Sequence, residues 1–342
     1  MVSANNLSIE LPTSADILVV GNGMVGAKFC QDLVNLNLNK DKKVVVLGGE
    51  PVPAYNRIKL SSYVDHEDAT QLELLPRSWY LENDISLFTG EWVDQLNTKK
   101  KFIKTRGGHQ IYYDKVVLAM GSKAFAPPIE GIDLPNVFLY RSIKDIADIS
   151  EAARSLEKIK HATIIGGGLL GLEAAQAFQK LEIKATVIQR ANFLMSAQLN
   201  EPAGNLLQKK VEEQGIEVLP KKNTKTITTT KDGLELTFQD GKTLETGLVV
   251  IAAGISPISD IAEDAEMHCG IRGGVVVDGQ LNTSEPDVFA IGECARFRGE
   301  IYGLAAPGYQ MAEYVANKLA GKKQDPFTKP CLLYTSPSPR DA

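Results

Sequence analysis

Cysteine is scarce in this chain. Four occur in 342 residues, Cys30, Cys269, Cys294 and Cys331. None forms a Cys-x-x-Cys pair or stands at zinc-site spacing from a histidine, which argues against a disulfide framework, a redox disulfide of the close-pair type and a structural metal. The four histidines, His66, His109, His161 and His268, are scattered along the chain and read as surface or strand-end residues. Basic residues are not in excess: 37 Lys and Arg stand against 42 Asp and Glu, for a net charge of -5. That removes the electrostatic footprint of a nucleic-acid binder. No apolar run approaches the ~18 residues of a membrane helix. The first ten residues lack the basic start and apolar core of a secretory signal, and they lack the arginines of a transit peptide. A cytoplasmic protein of ordinary globular composition and about two domains is expected.

Glycine, by contrast, is abundant where it carries information. Ile17 to Val20 is a short apolar strand, followed by Gly21-Asn22-Gly23-Met24-Val25-Gly26 and a helical stretch from Ala27 to Leu36. This is Gly-x-Gly-x-x-Gly between a strand and a helix. The first glycine permits the tight turn, the second lets backbone approach a pyrophosphate, and the third lets helix and strand pack closely. The helix N-terminus offers free N–H groups and partial positive charge to the phosphates. A second strand, Val44 to Leu47, completes a β-α-β unit. Its end reads Gly48-Gly49-Glu50, and Glu50 lies 24 positions after Gly26. Glu50 is the candidate ribose contact; with Gly49 at the usual acidic position, backbone is the alternative.

Pro51 to Ser62 reads as an irregular loop leading into a short helix at Ser61. Arg57 in this loop has two open readings, neutralising a pyrophosphate or forming a structural ion pair. Ile85 to Asn97 and Lys101 to Lys104 alternate as strands about an Asn97-to-Lys100 turn, and Gln110 to Tyr113 continues the meander. Val116 to Ala119 is a buried strand leaving at Met120-Gly121-Ser122, and Ile143 to Ile159 has helical spacing.

The opening pattern then returns. Ala162 to Ile165 is a strand, Gly166-Gly167-Gly168-Leu169-Leu170-Gly171 is a second Gly-x-Gly-x-x-Gly, Leu172 to Leu181 is its helix and Ala185 to Ile188 the next strand. Two such units, each in the right context, specify two bound dinucleotides. The second unit ends in Gln189-Arg190 rather than an acid. No carboxylate repels a 2′-phosphate there and Arg190 is placed to attract one, so the site leans towards NADPH or tolerates both cofactors. Gln198 to Gln214 reads as an amphipathic helix and Thr226 to Leu244 as a meander. Leu248 to Ala252 is a strand leaving at Gly254, an echo of Ala119 and Gly121. Val288 to Ile291 is a strand followed by Gly292-Glu293-Cys294, and Tyr309 to Leu319 is a closing helix that rejoins the first domain.

This ordered set resembles the pyridine nucleotide-disulfide oxidoreductase type of flavoprotein, with two dinucleotide-binding domains, over roughly Asp16 to Gly321. Tyr55-Asn56-Arg57, Leu60-Ser61-Ser62, Leu194-Met195, Gln198-Leu199-Asn200, Gly292-Glu293-Cys294 and Tyr302 to Pro307 narrow the similarity to the flavin module of NAD(P)H-dependent nitrite reductase large subunits. The resemblance implies FAD at the first motif and NAD(P)H at the second, with Glu293 on the ribityl chain of the flavin and the Val93 backbone beside the adenine. It implies an α/β fold of two Rossmann-like domains, the second inserted in the first, each with a β-meander. The FAD domain is expected over residues 14–122 and 258–322 and the NAD(P)H domain over 123–257. Gly49 departs from the acid that related flavoproteins carry.

The implied cofactor-binding set is Gly21, Asn22, Gly23, Met24, Gly26, Glu50, Arg57, Val93, Ala119, Gly121, Gly166, Gly168, Leu169, Leu170, Gly171, Gln189, Arg190, Gly254, Gly292 and Glu293, with no metal ligand and no protein general acid. The implied activity is an FAD-dependent NAD(P)H oxidoreductase passing electrons to a metal-centre acceptor, either downstream sirohaem and iron–sulfur domains or a small redox protein. A stand-alone ferredoxin or rubredoxin reductase and a flavin-binding sensor with little turnover are the competing readings. Cys294, one residue past Glu293, is read as a packed thiol with a redox role as the alternative. Cys331 to Ala342 resembles a translated adapter tail and is left out of the fold.

Overall fold

The computed structural model describes residues 10–328, so the expected tail at 331–342 lies outside the described residues. The chain divides into two compact units. Of the described residues, the first comprises 10–55, 73–122 and 257–328, the second 56–72 and 123–256.

The first unit starts with β1 (Ser14–Val20), α1 (Met24–Asn35) and β2 (Val44–Gly48). Strand β2 is buried along its whole length, as a strand covered on both faces must be. Next come β3 (Ile85–Thr89), β4 (Val93–Asn97), β5 (Phe102–Thr105) and β6 (Gln110–Leu118). The sheet order is β3-β2-β1-β6-β5-β4, with β1, β2 and β3 parallel and β4, β5 and β6 antiparallel in sequence. The single strand expected over Ile85 to Asn97 is thus two strands with different partners. Gly90, at φ 78°, sits between them and takes a left-handed conformation that breaks the run.

The second unit carries β7 (Val137–Leu139), α2 (Ile143–Arg154), β8 (His161–Ile165), α3 (Leu169–Lys180), β9 (Lys184–Gln189), α4 (Glu201–Glu213) and β10 (Glu217–Pro220). Helix α2 opens with a reciprocal cap between Ser142 and Asp145 and stops at Arg154, short of the expected Ile159. Asn200 caps α4, so that helix starts three residues later than its apolar spacing suggested. Strands β11 (Thr224–Thr229), β12 (Leu234–Phe238) and β13 (Thr243–Thr246) form an antiparallel meander. Strand β14 (Leu248–Ile251) completes an all-parallel sheet of order β10-β9-β8-β14-β7. His161 is a strand-end residue, with its ring nitrogens 3.0 Å from Thr246 Oγ1 and 2.8 Å from Thr186 Oγ1. Burial lowers its pKa and favours the neutral ring. Asn56–Leu72, expected in the first domain, belongs to this second unit; Lys180 of α3 pairs with Asp65 of that segment at 2.6 Å.

The chain then returns to the first unit. Strand β15 (Val288–Ala290) pairs parallel with the carboxyl half of β6, Val288 opposite Val116. Helix α5 (Ala305–Leu319) packs on α1. One edge of the nine-residue β6 pairs with β1; the other is shared, its first half going to β5 and its second to β15.

Candidate functional site: two glycine-rich loops built on one plan

The two glycine-rich loops leave the carboxyl ends of parallel strands, β1 and β8, where open α/β sheets bind ligands. Gly21 (φ 113°) and Gly166 (φ 128°) occupy the same unusual backbone region. A Cβ on Gly21 would overlap the Ala119 carbonyl oxygen, and one on Gly166 the Ala252 carbonyl oxygen. Gly26 and Gly171 face the carbonyl oxygens of Gly21 and Gly166 in the same manner. Gly23 and Gly168 differ from the rest: a Cβ there would meet nothing within 4 Å. Each is the N-cap of a 12-residue helix, in nearly identical conformations (φ −91°, ψ −167° and φ −92°, ψ −171°). Neither glycine offers a side chain to the first-turn N–H groups, which are left to an anion in the open space in front. A pyrophosphate fits both places. Met24, Leu169 and Leu170 supply the first helical N–H groups, and Leu169 is exposed.

The repeat extends to the neighbouring loops. After β2, Gly90 N–H donates to the Glu50 carbonyl (2.8 Å) and Glu91 N–H to the Gly48 carbonyl (2.9 Å). After β9, Lys221 N–H donates to the Ala191 carbonyl (3.1 Å) and Lys222 N–H to the Gln189 carbonyl (3.1 Å). Gly48 therefore corresponds to Gln189, and Gly49 to Arg190. One side chain fills each strand–loop junction, but from opposite partners. In the first unit a Cβ on Gly48 would stand 3.0 Å from Asn22 Cβ, so the loop supplies the side chain. In the second the loop residue is Gly167, and Gln189 reaches over it, accepting from its N–H at 3.3 Å and donating to the Phe193 carbonyl at 3.1 Å. Gln189 is thus used to hold its own loop.

Asn22 is held by Tyr80, whose hydroxyl donates to Oδ1 at 2.8 Å. Burial keeps the Tyr80 phenol well above its ordinary pKa, so it stays a donor. The Asn22 amide nitrogen is buried and has no partner among the described residues, a donor left for a ligand. Sequence reading missed Tyr80, 58 positions away; no local signal marks it. Glu50, the acid expected at the ribose, accepts from the Tyr55 hydroxyl at 2.8 Å. Gly49 cannot carry a side chain without displacement, because its Cβ would stand 2.7 Å from the Trp92 indole. Val93 follows as the first residue of β4.

At the carboxyl end of β15, Gly292 (φ 75°) faces Val25 of α1 at 3.0 Å from its Cβ direction. Glu293 accepts from the Ser122 hydroxyl at 2.7 Å, which ties the ends of β6 and β15 together. Gly121 and Gly254, the two strand exits, both have positive φ and open space at their Cβ positions. Arg57 belongs to the second unit, where it donates to the Arg141 carbonyl at 3.0 Å. Arg190 and Lys221 are exposed, and neither side chain has a hydrogen bond or ion pair among the described residues.

Cys294 is fully buried, with Sγ 3.2 Å from the Leu118 carbonyl oxygen and 3.3 Å from that of Ile291. Burial pushes its thiol up to about 11, so no thiolate forms near neutral pH. Cys294→Ala is expected to leave cofactor reduction within about twofold of the parent and to cost about 1 kcal/mol of stability. Stopped-flow rates and a thermal melt check this. Among the described residues no group of acids, histidines and cysteines could hold a metal.

Residues 15–312 match the pyridine nucleotide-disulphide oxidoreductase family. The chain belongs to it. Among its relatives in this oxidoreductase family, the nitrite reductase (NADH) large subunit of Escherichia coli (strain K12) is 37% identical over 311 residues, 90% of this chain and 36% of that one. The assimilatory nitrate reductase electron transfer subunit of Bacillus subtilis (strain 168) is 35% identical over 327 residues, 95% of this chain and 41% of that one. The chain thus spans well under half the length of these relatives. The ferredoxin reductase for the CYP199A2 system from Rhodopseudomonas palustris has the same fold, with a TM-score of 0.84 at 24% identity, over 93% of this chain and 78% of that one.

Proposed function

We propose that the chain is the electron-input module of an NAD(P)H-dependent nitrite reductase, an FAD-dependent NAD(P)H oxidoreductase that passes electrons to a metal-centre acceptor. The observation that carries this is the duplicated loop, two open helix N-termini of the same conformation, each following a parallel strand of a separate sheet. The family, and relatives named as nitrite reductase and nitrate reductase electron-transfer subunits, supply the reaction class. No helix among the described residues is long and apolar enough to cross a membrane.

The first unit is assigned FAD and the second NAD(P)H. Bound FAD supplies a hydride acceptor that can release electrons one at a time. The protein's part is to bind and orient. The N–H groups at the start of α1 and the Asn22 amide hold the FAD pyrophosphate end, and the Glu293 carboxylate accepts from a polyol hydroxyl. The start of α3 holds the pyrophosphate of the nicotinamide cofactor, with Gln189 keeping the loop in shape. Arg190 and Lys221 offer two uncommitted cations where a 2′-phosphate would stand.

Two measurements test this. Turnover of NAD(P)H with ferricyanide, but slow turnover with added ferredoxin or rubredoxin, supports a module built for attached metal domains. Rapid turnover with either small protein favours a stand-alone reductase. Arg190→Ala should lower kcat/KM for NADPH about tenfold, the loss of one charge-assisted phosphate contact, and leave that for NADH within about twofold. Equal losses for both cofactors would remove the 2′-phosphate role.

A further inference from the structure

The two units share a backbone frame at the end of their second parallel strand, yet fill one position in opposite ways. In the second unit that position is Arg190, exposed and uncommitted. In the first it is Gly49, roofed by the Trp92 indole at 2.7 Å from where a side chain would begin. Trp92 stands just past the carboxyl end of β3, beside β2 in the sheet, and remains 44% exposed. The Arg106 guanidinium lies 5.5 Å from the centre of its ring and is itself neutralised by Asp94 at 3.1 Å. The Arg106 N–H donates to the Trp92 carbonyl at 2.7 Å, fixing the backbone on which the indole is carried. The result is a rigid, flat and electrically neutral surface at the ligand-binding edge, where an acid or a cation would otherwise project.

We propose that Trp92 is the specificity-determining residue of the first unit's adenosine position. Its indole takes the volume of a side chain on residue 49 and presents apolar surface to the adenine. The inference rests on the assignment of FAD to the first unit. A dinucleotide with an unphosphorylated adenosine ribose loses nothing from a neutral wall and gains contact with it. A 2′-phosphate finds no uncommitted cation there, because Arg106 is paired with Asp94, so NADPH is confined to the second unit.

The test is titration of flavin-free protein with FAD, read by flavin fluorescence, for the parent, Trp92→Ala, Trp92→Leu and Gly49→Glu. FMN, which lacks adenosine, and NADPH, which reports on the second unit, serve as controls. Trp92→Ala should weaken FAD about tenfold, the scale of one base–aromatic contact, with FMN and NADPH unchanged. Trp92→Leu keeps apolar volume without the ring and should fall between. Gly49→Glu alone should also weaken FAD, because its side chain meets the indole; combined with Trp92→Ala it should regain part of the loss. FAD affinity of both Trp92 variants within about twofold of the parent would overturn the proposal. Failure of the parent itself to bind FAD would instead overturn the assignment of the first unit.

Discussion

Gly26→Ala should leave the purified protein colourless. The added methyl group points at the Gly21 carbonyl oxygen, which is backbone and cannot rotate away. Either α1 moves off β1 or the Gly21 turn opens, and both shift the first-turn N–H groups away from the phosphates. Charge-assisted hydrogen bonds contribute about 1.5–3 kcal/mol each. Losing two lowers FAD affinity at least about 100-fold. Overpacking at the helix–strand contact costs roughly a further 1–3 kcal/mol of stability. The visible flavin band per mole of protein and the melting temperature read the two effects separately. A yellow protein with parent affinity would mean that this loop does not hold the flavin.

Gly171→Ala should give the opposite phenotype, a yellow protein that NAD(P)H cannot reduce. The same overlap arises against the Gly166 carbonyl oxygen, and α3 is displaced from β8. FAD stays bound because β1, α1 and β15 are untouched. A drop of at least about 100-fold in kcat/KM is expected for NADH and NADPH alike, since the pyrophosphate contact is common to both. Unlike Arg190→Ala, this variant should not change the ratio between the two cofactors. Loss of FAD from Gly171→Ala would break the division of labour between the two units.

Much of the frame was legible in the sequence because its signals are local. Each glycine motif lies within six residues, and its strand and helix flank it directly. The ends of α2 and α4 were less legible, because Ser142, Asp145 and Asn200 set them by capping rather than by apolar spacing. Strand β3 was misread as part of a hairpin because alternation does not reveal which strand is the partner. The segment 56–72 contacts α3 and α2 from far along the chain, so no composition shift marks it.

The candidate site shows the same limit. Gln189 looked like a missing acid; its amide instead closes the loop at Gly167. Gly49 looked like a lost ribose contact; Trp92, 43 positions away, fills the space. Asn22 was chosen for its place in the motif, but its orphaned amide depends on Tyr80. In each case the sequence supplied the residue and only the packing supplied the reason.

The measurement that goes most directly to the two-nucleotide reading is an anaerobic titration of the FAD-loaded protein with NADH and, separately, NADPH, following the visible flavin band. Rapid bleaching by about one equivalent of either cofactor is the predicted result, with NADPH at least as effective as NADH. FAD bound at full occupancy that neither cofactor bleaches would contradict it.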